Sequence, residues 1–295
     1  MSRAKVEKTE KGYKFFGSVF GGCMHSQELS LMGVRGKAPD ADLQAIFQAG
    51  HESEEETKQD LAAAGFKLHF ASSDIKNQHS VFIAKQYEEY EIILACHLDG
   101  MLLQVGDWEE AGYWKWPTTN ETEIYLFEHK SVKADCFDKF IKDPENYFLA
   151  NYEPYKWQVS AQYWGLLDQL FAEARELPEN INIEDIVLYA EIFDQLQIMI
   201  SVHDRDTILP RRLAFLLDKV PYSKAECLDR CNQIVRNYKD EKVSKCDSKW
   251  QCDYLTNSVS YNKLPVIQSL PRVSNRTEAQ KENSLAGLKL PKRKA

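Results

Sequence analysis

No run of this 295-residue chain approaches the roughly eighteen apolar residues of a membrane-spanning helix, so no such helix is expected. The segment Met1–Lys8 has no apolar signal core, and the expectation is a protein that is not secreted and works in the cytoplasm. The seven cysteines are an odd number and form no small-domain framework; in a reducing compartment free thiols are the default. There is no internal repeat. Nor is there a basic excess, since 37 Lys and Arg face 45 Asp and Glu, for a formal net charge of −8. That balance argues against a protein that simply coats nucleic acid. It does not exclude a local cationic cleft, because the field that matters for binding is local.

What remains is an ordinary soluble composition and enough length for one sizeable core with appendages. Charge is unevenly spread. Residues 256–295 carry eight basic groups against Glu278 and Glu282, while the preceding 255 residues carry 29 basic and 43 acidic groups. The tail has Pro, Ser and Asn and no clear periodicity, and reads as a flexible basic arm. Its part is either contact with a polyanion or plain solubility.

Residues 1–40 give only weak signals. Helical spacing and strong helix formers predict a helix over 40–64, with Gly65 placed as its C-terminal glycine. Strands are predicted near 67–72, 80–87, 90–104 and 123–131. Helices follow at 135–142 and 154–175, then strands at 186–191 and 196–202, and helices at 209–218 and 222–239. This order describes an α/β fold in which helices cover a mixed sheet. The expected organisation is an N-terminal extension (1–45), a core (46–203), a helical extension (204–255) and the basic tail (256–295).

Two of the strand candidates carry charge that a buried strand cannot use structurally. Glu91–Gln104 is apolar but for its ends, His97, Asp99 and Gly100; Glu123–Ser131 is apolar until Glu128-His129-Lys130. An unpaired buried charge costs several kcal/mol. Strand side chains alternate with period two, so Glu128 and Lys130 share one face. With Asp99 nearby they make a carboxylate pair and an ammonium, a minimal kit for holding a divalent metal and activating a water. A lone Glu-X-Lys is commonly a surface salt bridge; the apolar flanks tell against that here.

Two helical features extend the set: Gly50-His51-Glu52-Ser53-Glu54, and Gln158 on an otherwise apolar helix that runs Trp157–Leu167. The order of helical Glu54, strand Asp99, strand Glu128-His129-Lys130 and helical Gln158 resembles the PD-(D/E)XK nuclease superfamily, within it the RecB-like and phage-type exonucleases. The resemblance covers roughly 46–203 and implies a restriction-endonuclease-like core. It also implies a Mg²⁺- or Mn²⁺-dependent deoxyribonuclease, most simply an exonuclease that processes double-strand ends in recombination or replication. On that resemblance Asp99, Glu128, Glu54 and the backbone carbonyl of His129 would hold the metal, whose preference is for hard oxygen. Lys130 would orient the attacking water and stabilise charge on phosphorus, and Gln158 would position the lysine, the water or the scissile strand. DNA contacts would come from Tyr155, Lys156 and Tyr163. DNA is the implied partner, with a single-strand-annealing recombinase and self-association as further expectations.

The sequence departs from the pattern in places. Many relatives carry His where Glu54 stands, so His51 is an alternative first residue. Four residues after Gln158 the family often has Tyr; here it is Gln162. Some relatives bind an iron–sulfur cluster through one early and three late cysteines. Cys23, Cys227, Cys231, Cys246 and Cys252 lack that spacing, so neither a cluster nor zinc is expected. The alternatives are an endonuclease, a CRISPR-adaptation-type nuclease, or a catalytically dead DNA-binding module of the same fold.

Overall fold

The computed structural model describes residues 6–34, 41–71, 78–104, 123–175, 196–207, 211–244 and 266–267. The predicted strand at 186–191, Cys246, Cys252 and the basic tail (Val266–Ile267 apart) lie outside them. The described chain is α/β, with two mixed sheets and seven helices.

In the first sheet, β4 (Ser80–Gln86) and β5 (Glu91–His97), both within predicted strands, form an antiparallel pair. The other two strands come from the weakly patterned N-terminus: β1 (Val6–Lys8) and β2 (Gly12–Phe16), in the order β1-β2-β5-β4. β2 runs parallel to β5, pairing Gly12 with Glu91 and Phe16 with Ala95. The short helices α1 (Gly17–Phe20) and α2 (Met24–Leu31) follow. Phe15 and Phe20 are fully buried, each contributing about 1.5–3 kcal/mol. The segment taken as an extension therefore supplies half of one sheet. Just after α1, Gly21 lies so close to the chain at Pro154 that a Cβ would stand 1.9 Å from the Pro154 carbonyl oxygen.

Beyond His97 the chain changes sheets. Only Leu98 and Asp99 separate β5 from β6 (Gly100–Gln104), which belongs to a five-stranded sheet. Its order is β3-β6-β7-β8-β9, with β3 (Lys67–His69), β7 (Glu123–Val132), β8 (Leu196–Asp204) and β9 (Arg212–Leu217). The single strand and single sheet expected across 90–104 are thus two. Asp-Gly is a turn-forming pair, and Leu98, wholly buried, donates its N–H to the His79 carbonyl at 3.0 Å, which anchors the bend.

β7 and β8 are parallel and central, and β8 is apolar and buried on both faces, as such strands are. Their crossover includes α4 (Ala134–Lys142), α5 (Pro144–Asn151) and α6 (Glu153–Arg175). The helix predicted at 209–218 is instead the edge strand β9, antiparallel to β8. Leu-Ala-Phe-Leu-Leu suits a helix locally, but pairing with β8 and burial of Phe215 and Leu217 override that preference. The last long helix, α7 (Lys224–Lys239), starts at a capping box between Ser223 and Glu226. A short parallel pair, β10 (Val243–Ser244) and β11 (Val266–Ile267), follows.

Helix α3 (Ala41–Ala63) ends as predicted: Gly65 adopts φ +94°, and the Phe66 N–H returns to the Leu61 carbonyl at 3.1 Å. Its buried residues, Ser53, Thr57, Lys58 and Leu61, all lie in its second half, which packs on β7 and β3. No helix among the described residues is long and apolar enough to cross a membrane.

Candidate active site

The charged residues of the two strands meet where the chain passes between sheets. Asp99 sits at that bend, and its Oδ2 accepts the His129 N–H at 2.8 Å. This bond continues the β6–β7 ladder one step past Gly100↔Phe127 and fixes the carboxylate beside β7. Period-two alternation then separates the strand's two faces. Tyr125, Phe127 and His129 face α3; Glu128 and Lys130 face α6.

On the α6 face Glu128 is completely buried. Its Oε1 accepts from Lys130 Nζ and, at 2.8 Å, from Gln158 Nε2; its Oε2 accepts from Gln162 Nε2 at 2.7 Å. Tyr155 lies under the lysine, with Nζ 4.3 Å from its ring centroid. Burial, then the nearby Asp99, push the Glu128 carboxyl up to about 8, against the pull of Lys130 and Gln162. Burial lowers the Lys130 pKa, but Glu128, Tyr155 and Asp99 more than reverse it, so the ammonium stays charged.

Glu54 approaches from α3. Lys58, one turn on and itself buried, pairs with its Oε1 at 2.5 Å. Burial and then Asp99 raise Glu54 to about 7, offset by Lys58 and Lys130. Glu54 is therefore within electrostatic reach of Asp99 and Lys130. His51 is half-exposed, its Nδ1 4.0 Å from Glu54, and stands outside this group.

The opposite face of β7 holds a polar lock. Ser53 Oγ hydrogen-bonds to His129 Nε2 at 2.8 Å and to His203 Nδ1, joining α3, β7 and β8. Burial, then His203 and the nearby Lys130, Arg212 and Lys58, hold His129 well below its usual pKa, so its ring is neutral. Arg212 of β9 pairs with Glu56 and Asp60 and holds the same stretch of α3 from the other side. The lock fixes the stretch of α3 that carries Glu54, the next residue, within the field of Asp99.

The structure thus brings together Glu54, Asp99, Glu128, Lys130, Gln158 and Tyr155. It does not bring in Lys156, which is buried and paired with Glu153 at 2.5 Å, nor Tyr163, which packs edge-on against Trp164. On α6 both point away from Glu128, Lys156 buried and Tyr163 half-buried. Two site residues escaped the sequence reasoning. Lys58 was hidden in a polar helical run. Gln162 stood in view only as a departure from a pattern, although its i+4 spacing from Gln158 puts both amides on one face.

A hard divalent cation suits the donors here, all carboxylate oxygens, and would offset the repulsion from Asp99 that adds to burial in raising Glu54 and Glu128. Their packing is less simple. Each carboxylate is turned to a lysine, an amide or a backbone N–H, and no group of three His, Cys, Asp or Glu side chains among the described residues is arranged to hold a metal ion. Cys23, Cys96, Cys136, Cys227 and Cys231 form no disulfide. Burial pushes the Cys96, Cys227 and Cys231 thiols up, away from the thiolate that metals bind.

Elsewhere the fold buries an acid for structure alone. Glu28 accepts from Asn237, from the Ser244 hydroxyl and from the Ser244 N–H, tying α2 to α7 and β10, with no cation and no second acid among these partners. The Glu128 cluster differs by holding further acids and lysines together at a chain bend. No protein-family model matches the chain, no curated protein matches it, and no solved structure matches it.

Proposed function

We propose that the chain is a Mg²⁺- or Mn²⁺-dependent deoxyribonuclease of PD-(D/E)XK type with a restriction-endonuclease-like core, and that it degrades DNA from double-strand ends. One observation carries the reading: buried Glu128 and half-buried Lys130 on a central strand meet Asp99 at the bend, Glu54 from one helix and Gln158 from another. A structural salt bridge has no use for two further acids, Glu54 and Asp99, held beside it.

On this reading Glu54, Asp99 and Glu128 would hold the cation. When bound, Mg²⁺ or Mn²⁺ would lower the pKa of a water and offset charge on the phosphoryl oxygens. Lys130 supplies a fixed positive charge for the attacking water and the developing phosphorane, and the Tyr155 ring beneath Nζ limits where it can swing. Gln158 holds the Glu128 carboxylate beside that charge. The cytoplasm is the proposed location, DNA the proposed partner, and a single-strand-annealing recombinase a further one.

A second reading has an observation of its own. Glu128 is engaged by three donors, which suits a catalytically dead DNA-binding module. Incubation of linear duplex and covalently closed circles with Mg²⁺, beside EDTA controls, separates the readings. An exonuclease consumes only linear DNA and only with metal. Loss of the circle as well indicates an endonuclease, including a CRISPR-adaptation type. Retention of both substrates leaves the binding module.

A further inference from the structure

Gln162 is fully buried on α6, and both protons of its amide are committed. Nε2 donates to Glu128 Oε2 at 2.7 Å and to the His97 carbonyl at 2.8 Å. His97 ends β5 two residues before Asp99, and Glu128 lies in β7. One side chain therefore ties together the two strand segments that carry the acids. Its own Oε1 is buried and accepts no hydrogen bond. A turned amide would set Oε1 against the Glu128 carboxylate and the His97 carbonyl, acceptor against acceptor, so the orphaned oxygen is the lesser cost.

A carboxylate offers about four acceptor positions, two on each oxygen. At Glu128, Lys130 and Gln158 both take Oε1, while Gln162 alone takes Oε2. We propose that Gln162 is a positioning residue that acts through Glu128: it fixes the carboxylate plane, holds Glu128 in register with Asp99, and leaves Oε2 as the oxygen with capacity for a divalent cation. This rests on the metal-dependent reading above.

The test uses the full-length protein with Gln162→Met, which keeps length but removes both donors, and Gln162→Asn, which keeps the amide but shortens its reach. Mn²⁺ affinity is read by electron paramagnetic resonance without DNA, and kcat and KM on linear duplex. Expected for Gln162→Met is Mn²⁺ binding weakened about tenfold, equivalent to about 1.4 kcal/mol. kcat should fall at least as far, with KM for DNA within about twofold. Gln162→Asn should show the same split, and it carries the test if the Met variant does not fold. In a Glu128→Gln background the Gln162 change should weaken Mn²⁺ binding no further, which a merely structural role does not produce. Wild-type Mn²⁺ affinity in a folded Gln162 variant, or additivity in the double variant, overturns the proposal. If the wild-type protein itself neither binds Mn²⁺ nor cuts DNA, the metal-dependent reading fails first.

Discussion

Glu128→Gln removes a charge that the fold holds at a disadvantage, and the effect can be sized. An ordinary glutamate ionises near 4.5; burial and Asp99 hold Glu128 at about 8 and Glu54 at about 7. Between 4.5 and those values the folded protein binds more protons than the unfolded chain. These two groups therefore favour folding fully at low pH and progressively less as pH rises towards 7 and 8, by about 1.4 kcal/mol per pH unit each. For a domain of this size that is about 3–6 °C in Tm per unit. His129 and His203, both held low, act in the opposite sense up to their ordinary pKa near 6.5. Asp99, Lys58 and Lys130, which face the two acids, remain in both proteins. The informative quantity is thus the difference in Tm between Glu128→Gln and wild type. Measured by calorimetry in EDTA from pH 5 to 8, it should grow with pH by about 3–6 °C per unit, and Glu54→Gln should do the same up to about pH 7. A difference that stays constant across this range refutes the electrostatic account of the site.

Other expectations follow from single contacts. Ser53→Ala strips His129 and His203 of a buried hydroxyl and should cost about 1–3 kcal/mol in urea denaturation; a change below about 0.5 kcal/mol would mean the lock contributes nothing. Gly21→Ala drives a Cβ to 1.9 Å from the Pro154 carbonyl and should lower Tm sharply, whereas Gly50→Ala, with open space around it, should raise or preserve it. Deleting residues 256–295, with their eight basic groups, should weaken DNA binding and flatten its salt dependence while single-turnover cleavage at saturating DNA survives; an unchanged salt slope would make the arm a bystander.

Legibility in the sequence followed how local each signal was. The strands at 80–87 and 123–131 and the helices at 40–64, 135–142, 154–175 and 222–239 have long periodic patterns or caps, and each appears. β1, β2, α1 and α2 are three to eight residues long, too short for periodicity to register; they are held by tertiary contacts, β2 pairing with β5, β1 with β2, and α2 packing on α7 and β10. Leu213–Leu217 misled because leucine and alanine suit a helix until a neighbouring strand offers a ladder. At the site, Asp99, Glu128 and Lys130 were visible as charges in apolar strands, and their meeting is what the alternation implies. Lys156 and Tyr163 lie off the face of α6 that carries Tyr155, Gln158 and Gln162, which the spacing along the helix sets. Gln162 was legible only from its distance to Gln158.

The most direct test of the central claim compares Lys130→Ala with Glu128→Ala in two assays, cleavage of linear duplex DNA in Mg²⁺ and calorimetric titration with Mn²⁺. Both variants should lose at least about 10²–10³ in cleavage rate, the usual cost of removing a charge-stabilising group. Glu128→Ala should also lose metal affinity. Lys130→Ala should keep it or gain, because a cation beside the carboxylates has gone. Near wild-type cleavage by Lys130→Ala would contradict the account and leave Glu128 and Lys130 as a buried salt bridge.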